Sequence, residues 1–264
     1  STDSGAGFAI NFSERNFLGR GQRLRFAINT VSDGQAFNFA FTEPNFLARD
    51  VSLGFNLYYE QTQNRGDRSF DTEEYGFGTT FGFPAGENSR IALSYTIDRD
   101  EFIFSDDAED RVSRIIFDDA GERITSAIGL TYAFDNRTSG LNPNAGVRLE
   151  VTGEYAGIGG DAEYLRARAL AIAERAIMRE EVTLRATMEG GALETLNGDS
   201  HYSDRFFLSS RQLRGFDTFG VGPRDLASPN EDALGGNYFA VARFEAAFPL
   251  GLPEEYGISG GVFY

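Results

Sequence analysis

The stretch best suited to one specific polar contact is Gln212-Leu213-Arg214-Gly215-Phe216. A guanidinium offers a planar fork of donors that fits a carboxylate. The glycine beside it allows backbone conformations and close approaches that a Cβ would block. The surrounding segment, roughly Leu193 to Gly236, is long and polar, yet it carries Phe206, Phe207, Leu208, Leu213, Phe216, Phe219 and Val221. That is too much apolar surface for a solvated linker. Long insertions in otherwise regular chains are functional or disordered. Two readings stand: a loop that packs into something and holds Arg214 there, or an ordinary surface loop with an Arg-Gly turn.

Other chemistry is sparse. His201 is the one histidine, and there are no cysteines, so neither a multi-histidine nor a thiolate metal centre is available. A Ser-His hydrolase would have to pair His201 with Ser200, Ser203, Ser209 or Ser210, and no acid stands at a spacing that suggests a triad. No catalytic residue, metal or cofactor is therefore expected. Asp98 to Arg123 is strongly acidic, and its two readings are cation binding or a solvated loop. Its spacing does not match a calcium-binding EF-hand. The net charge of -16 argues against nucleic acid, which needs a basic face.

The elements that would position such a loop are strands. The 264 residues suffice for one large β-domain, and 25 Phe, 11 Tyr and 31 Gly favour a β-rich wall. Leu24, Phe26 and Ile28 alternate with polar neighbours, as do Phe37, Phe39 and Phe41; Val51 to Leu57; Tyr75 to Phe83; Ile91 to Ile97; and Ile128 to Phe134. Val147, Leu149, Val151 and Tyr155 alternate with Arg148, Glu150, Thr152 and Glu154, one face apolar and the other charged with both signs. A soluble sandwich would turn that charged face to water, and a barrel in lipid would turn it to its lumen. Asp161 to Met188 is ambiguous, because Leu165, Ala169, Ile172, Ala173 and Ala176 have helical spacing. The flanking hairpin rhythm favours two strands with a turn near Arg179-Glu180-Glu181. No run of eighteen apolar residues exists, so no transmembrane helix is expected, and transmembrane strands stay open. No signal peptide stands at Ser1. The chain stops inside a strand-like segment, Tyr256 to Tyr264, which predicts a chain cut at its C-terminus and also at its N-terminus.

Several motifs in order resemble the barrel domain of BamA-type outer-membrane protein assembly factors, in the bacterial surface antigen family. They are Asn16-Phe17-Leu18-Gly19-Arg20-Gly21, Thr42-Glu43-Pro44-Asn45-Phe46, Gly82-Phe83-Pro84, the Tyr132 to Gly146 stretch with Asp135 and Gly140, and Leu252-Pro253-Glu254-Glu255-Tyr256. The most specific is Leu213-Arg214-Gly215-Phe216, followed by Val221-Gly222-Pro223 and Gly235-Gly236-Asn237. The resemblance implies an all-β antiparallel transmembrane β-barrel. Residues 1–264 would be a fragment of about twelve strands of a sixteen-stranded barrel, without the N-terminal POTRA repeats, the first strand and the last strands. It implies that the long loop folds into the lumen and that Glu245 matches the acid that meets Arg214. A second acid of the family would fall at or past Tyr264. Gly215 would let the loop approach the wall closely.

The function implied is folding and insertion of β-barrel proteins into the bacterial outer membrane, without nucleotide or enzymatic activity. The implied partners are unfolded outer-membrane protein clients, accessory lipoproteins of the assembly complex and outer-membrane lipid. The alternatives are a translocation or secretion barrel of the same superfamily, TamA-like or two-partner, and a passive pore. A plugging loop argues against the pore.

Overall fold

The structure is a computed structural model, and it describes residues 7–31, 34–63, 70–104, 108–138, 145–178, 181–217, 219–250 and 259–264. Twelve strands follow in chain order: β1 Phe8–Phe17, β2 Gln22–Val31, β3 Gly34–Glu43, β4 Ser52–Thr62, β5 Phe70–Gly86, β6 Ser89–Phe104, β7 Gly121–Asp135, β8 Ala145–Gly160, β9 Tyr164–Ile177, β10 Val182–Thr195, β11 Tyr238–Pro249 and β12 Ser259–Phe263. They form one sheet in that same order, with each consecutive pair antiparallel. β1 and β12 are its two edges, so the sheet is an unclosed wall among the described residues.

Period-2 patterning explains why these segments pair as they do. Residues opposite one another in register share a face. Phe12, Phe26, Phe39, Leu57, Phe77 and Ile97 make one row across six strands, and all six are apolar. The row on the other face holds Ala27, Asn38, Tyr58, Gly76 and Asp98. A one-residue slip anywhere would swap the two faces, so the pattern fixes the register. The long loop, residues 196–237, packs on the polar face, which we call the inner face. The outer face exposes large apolar side chains, including Ile91, Leu93, Leu130, Val151, Leu165, Met188 and Phe244. A continuous exposed apolar surface of this kind marks an interaction surface rather than a solvated one.

The pattern inverts near one rim. Past Ile97 the outer face turns charged, with Glu73, Arg99, Glu101 and Glu122 facing out together with Tyr75. There the inner face becomes aromatic, and Phe70 and Phe102 are buried with Ala108, Val112, Ile116 and Tyr202. Asp98, Asp100 and Glu101 therefore lie inside β6, and β7 begins at Gly121. This corrects the expectation of one acidic loop over Asp98 to Arg123. Only its middle leaves the sheet, and that part carries a 3-10 turn at Ala108–Asp110 and one α-helical turn, α1 (Arg114–Phe117). Asp106 and Asp107 lie outside the described residues.

The ambiguous stretch is the hairpin β9–β10, paired from Val182↔Ile177 to Thr195↔Tyr164. Helix propensity of the alanines loses there because β8 and β11 supply ladder partners on both sides. Arg179 and Glu180 lie outside the described residues, and so do Gly140 and the Leu252 to Tyr256 motif.

Candidate functional site

The long loop leaves β10 at the rim where the polarity inverts. It is stapled to the wall at both ends. The Phe206 N–H donates to the Gly236 carbonyl at 2.8 Å, and the Gly236 N–H donates back at 3.0 Å. Arg205 donates to the Ser200 carbonyl at 2.7 Å and to the Leu234 carbonyl at 3.2 Å, tying the outgoing limb to the returning one. Phe206 is buried against Phe239, with ring centroids 4.9 Å apart, and the Arg168 guanidinium lies 5.0 Å over its face. A side chain at Gly191 would strike both rings.

Beyond Phe207 the loop descends along the inner face. A tight turn forms at Ser209, whose carbonyl accepts from the N–H groups of Gln212 and Leu213, both at 3.0 Å. Gln212 Oε1 accepts from the Ser209 N–H at 3.0 Å. Gln212 Nε2 reaches Glu189 on β10 at 3.3 Å, and Arg243 on β11 bonds the same carboxylate at 2.6 Å while donating to the Arg211 carbonyl. These contacts deliver Arg214 to Glu245, Nη2 to Oε1 at 2.7 Å, with the guanidinium also 5.0 Å over the Phe263 ring. Glu245 lies roughly 23 Å along β11 from Tyr238, at about 3.3 Å per residue. The motif is thus held far inside the wall.

Gly215 has φ +88°, and a Cβ there would meet nothing within 4 Å. The glycine answers a left-handed backbone rather than the close approach expected from the sequence. Leu213 is half-buried, and Phe216 is 56 % exposed, so the aromatic of the motif does not pack on the wall among the described residues.

Glu245 does not act alone. Its Oε2 faces Arg185 Nη1 at 3.8 Å, and Arg185 Nε donates to Glu174 Oε1 at 2.7 Å. Arg137 reaches the same Glu174 oxygen at 3.6 Å and pairs with Asp135 at 2.9 Å. Three carboxylates, Asp135, Glu174 and Glu245, alternate with three guanidinium groups, Arg137, Arg185 and Arg214, from the β7–β8 turn to the loop tip. The Glu174 side chain is 0 % exposed, and its second oxygen has no hydrogen-bond partner. Sequence reasoning missed this ladder, because the helical spacing of β9 hid the inward parity of Glu174. Drawing the hairpin first would have put Glu174 opposite Arg185, which are register partners.

At the rim, the loop clasps the segment between β6 and β7. Ser113 donates its N–H to Asp232 and its hydroxyl to Asp225, each at 2.7 Å. The Tyr202 N–H donates to Asp119 at 2.7 Å, and Arg123 pairs with Asp204 at 2.8 Å. The Asp225 carboxyl is held below its ordinary value, first by the Ser113 hydroxyl and then by the Ala227 N–H. These acids serve as acceptors for backbone and side-chain donors. Among the described residues, no group of three or more His, Cys, Asp or Glu side chains could hold a metal ion.

His201 accepts the Ser203 N–H at 3.3 Å as a cap for the turn at Tyr202–Asp204, and its ring stacks on Phe102. Ser203 Oγ is 2.8 Å from Nδ1, while Asp119 stands 3.8 Å from Nε2, too far to orient the ring by a hydrogen bond. Ser200 and Ser209 are engaged with Asn237 and Gln212. The geometry supports a capping histidine.

Comparison with known proteins matches residues 16–264 to the Omp85 superfamily domain. The chain is 26 % identical over 264 residues to "Outer membrane protein assembly factor BamA" of Neorickettsia risticii, covering 99 % of this chain and 35 % of that protein. It is 27 % identical over 243 residues to the BamA of Nitratidesulfovibrio vulgaris, covering 90 % of this chain and 30 % of that protein. The chain thus spans about a third of the length of these curated relatives. The crystal structure of BamA from Haemophilus ducreyi lacking POTRA domains 1-3 superposes with a TM-score of 0.81 at 21 % identity, covering 98 % of this chain and 54 % of that one. An unbroken meander of antiparallel strands, a loop laid on the polar face and a family match over almost the whole chain place it as a barrel wall: the chain belongs to the Omp85 superfamily.

Proposed function

We propose that this wall belongs to a bacterial outer-membrane barrel that folds and inserts other β-barrel proteins into that membrane, without nucleotide. Unfolded outer-membrane proteins are its clients, accessory lipoproteins assist it, and the outer face lies in lipid. Within it, Leu213-Arg214-Gly215-Phe216 is the lumenal anchor and Glu245 its partner. The observation that carries this reading is the loop held deep on the inner face by the Arg214–Glu245 pair at 2.7 Å. A long loop laid along the inner face argues against a passive pore. The apolar outer face supports the lipid placement. The two longest connections, 105–120 and 196–237, lie at one rim, which supports reading that rim as the external one.

The test uses the complete native chain in liposomes and follows folding of an unfolded outer-membrane client. Wild type accelerates folding. Arg214→Ala removes one charge-assisted contact, and a loss of about 1 kcal/mol corresponds to about a fivefold slower rate. Equal acceleration by both proteins would keep the assembly reading and remove the arginine from its centre. No acceleration, with steady ion conductance instead, would overturn it in favour of a pore or a secretion barrel of the same superfamily.

A further inference from the structure

We propose that the outer face of the β8–β12 wall holds an anionic phospholipid of the periplasmic leaflet, with Arg175 on its phosphate and an acyl chain in the groove beside it. The proposal rests on the outer face lying in lipid and goes beyond it by assigning one site.

Along β9 the alternation sends Glu174 inward to the ladder and Arg175 outward. Arg175 lies opposite Leu184, Leu184 opposite Ala246, and Ala246 opposite Val262, so the guanidinium stands in an otherwise apolar outer row. Beside that row is an open groove of about 700 Å³, floored by Ala173 and Ala186 and walled by Leu184, Phe244, Val262 and Tyr264, with Arg175 at its edge. The volume falls in the range of ligand-sized clefts. Arg175 is exposed and has no ionic or hydrogen-bond partner among the described residues.

Depth decides what an outward arginine meets. Arg175 lies two residues before the end of β9, at the short-turn rim. From Leu165, near the other end of the same face, it is about 33 Å along the strand. With an ordinary strand tilt near 40°, that spans about 25 Å, the height of a barrel's apolar band. The guanidinium therefore reaches headgroup level while the groove lies at acyl depth. Guanidinium forks fit phosphate oxygens bidentately.

Arg99 is the informative contrast. It also points outward, near the opposite rim, but Tyr75 and Glu122 accept from it and Glu101 stands 3.5 Å away. Its charge is already answered by protein. Among the described residues no carboxylate does this for Arg175, which leaves its charge open to a complement from lipid. A free phosphate ion would satisfy the guanidinium and leave the groove empty, whereas a phospholipid fills both.

The experiment is native mass spectrometry of the complete chain in mild detergent, with equal phosphatidylglycerol and phosphatidylcholine added. Each variant is first shown to run as a folded barrel on an unheated gel. Wild type should retain one phosphatidylglycerol per chain with about a fivefold preference, the worth of one interfacial arginine. Arg175→Gln should abolish the preference, and Ala186→Leu, which fills the groove, should lower retention of both lipids. Arg99→Gln should change neither, and excess inorganic phosphate should not displace the lipid. No preference in wild type, a preference that survives Arg175→Gln, or displacement by phosphate would each overturn the site. Client folding, measured in parallel, is a separate readout, so its failure would strike the assembly reading and leave the lipid result standing.

Discussion

Arg214 is the most visible residue of the inner ladder, yet Glu174 is the more consequential one for stability. Arg214 is 53 % exposed on its side chain, and a half-exposed ion pair is worth about 1 kcal/mol or less. Glu174 is fully enclosed and serves two guanidinium groups at once, Arg185 and Arg137. Removing one member of a buried pair leaves an uncompensated charge and costs about 3–5 kcal/mol in closed surroundings. Because Arg185 remains partly open to water, we expect about 2 kcal/mol for Glu174→Gln, against about 1 kcal/mol or less for Arg214→Ala. Urea unfolding of the complete chain in vesicles measures both. The reverse order would show that the ladder is fastened at the loop rather than at the wall. At this scale the sequence was half legible. Arg214 stands in a motif that can be recognised locally, and Glu245 followed from the resemblance, whereas Glu174, Arg185 and Arg137 come together only through strand register.

Among the elements, the clasp ties the long loop to the segment between β6 and β7. Its hinge is Ser113, which gives one donor to Asp232 and another to Asp225. The Asp225 carboxyl is lowered because those donors favour its charged form. Its contribution is therefore complete above the ordinary carboxylate value of 3.8 and is lost as pH falls through the lower folded value. Hydrogen exchange over residues 113–118 and 225–232 should stay slow from neutrality down to about pH 5 and quicken only below about pH 4. Faster exchange already near pH 6 would mean that another group carries the clasp. This element was misread from sequence for a physical reason. Acidic residues between two hydrophobic strands look solvated when read locally, but Asp119 accepts from Tyr202 of the long loop, and Arg123 of β7 donates to Asp204 of that loop.

For the whole molecule, alternation was the legible signal, because along most of the wall the strands separate an outer apolar face from an inner polar one. Phe26, Phe39, Leu57 and Phe77 announce this without any tertiary information. The signal weakened where alanine replaced bulky residues, as in β9, and it reversed past Ile97, where charge turns outward. The membrane placement makes a depth-dependent prediction. Leu130 lies mid-way along the apolar outer run of β7, from Ile124 to Phe134, so Leu130→Arg should cost about 2–4 kcal/mol, measured by urea unfolding from vesicles. Leu18→Arg, in the turn between β1 and β2, should cost about 0–1 kcal/mol. Equal costs would remove the lipid from the outer face. The reversal past Ile97 has a further consequence. Strands β5 to β8 run 15 to 17 residues, while β1 to β3 run 10 each, and at the rim past Ile97 the ends of β5 and β6 carry charge outward and Phe70 and Phe102 inward. In a membrane-spanning barrel that rim would stand in water as a stiff collar, charged on its outside and lined with rings on its inside.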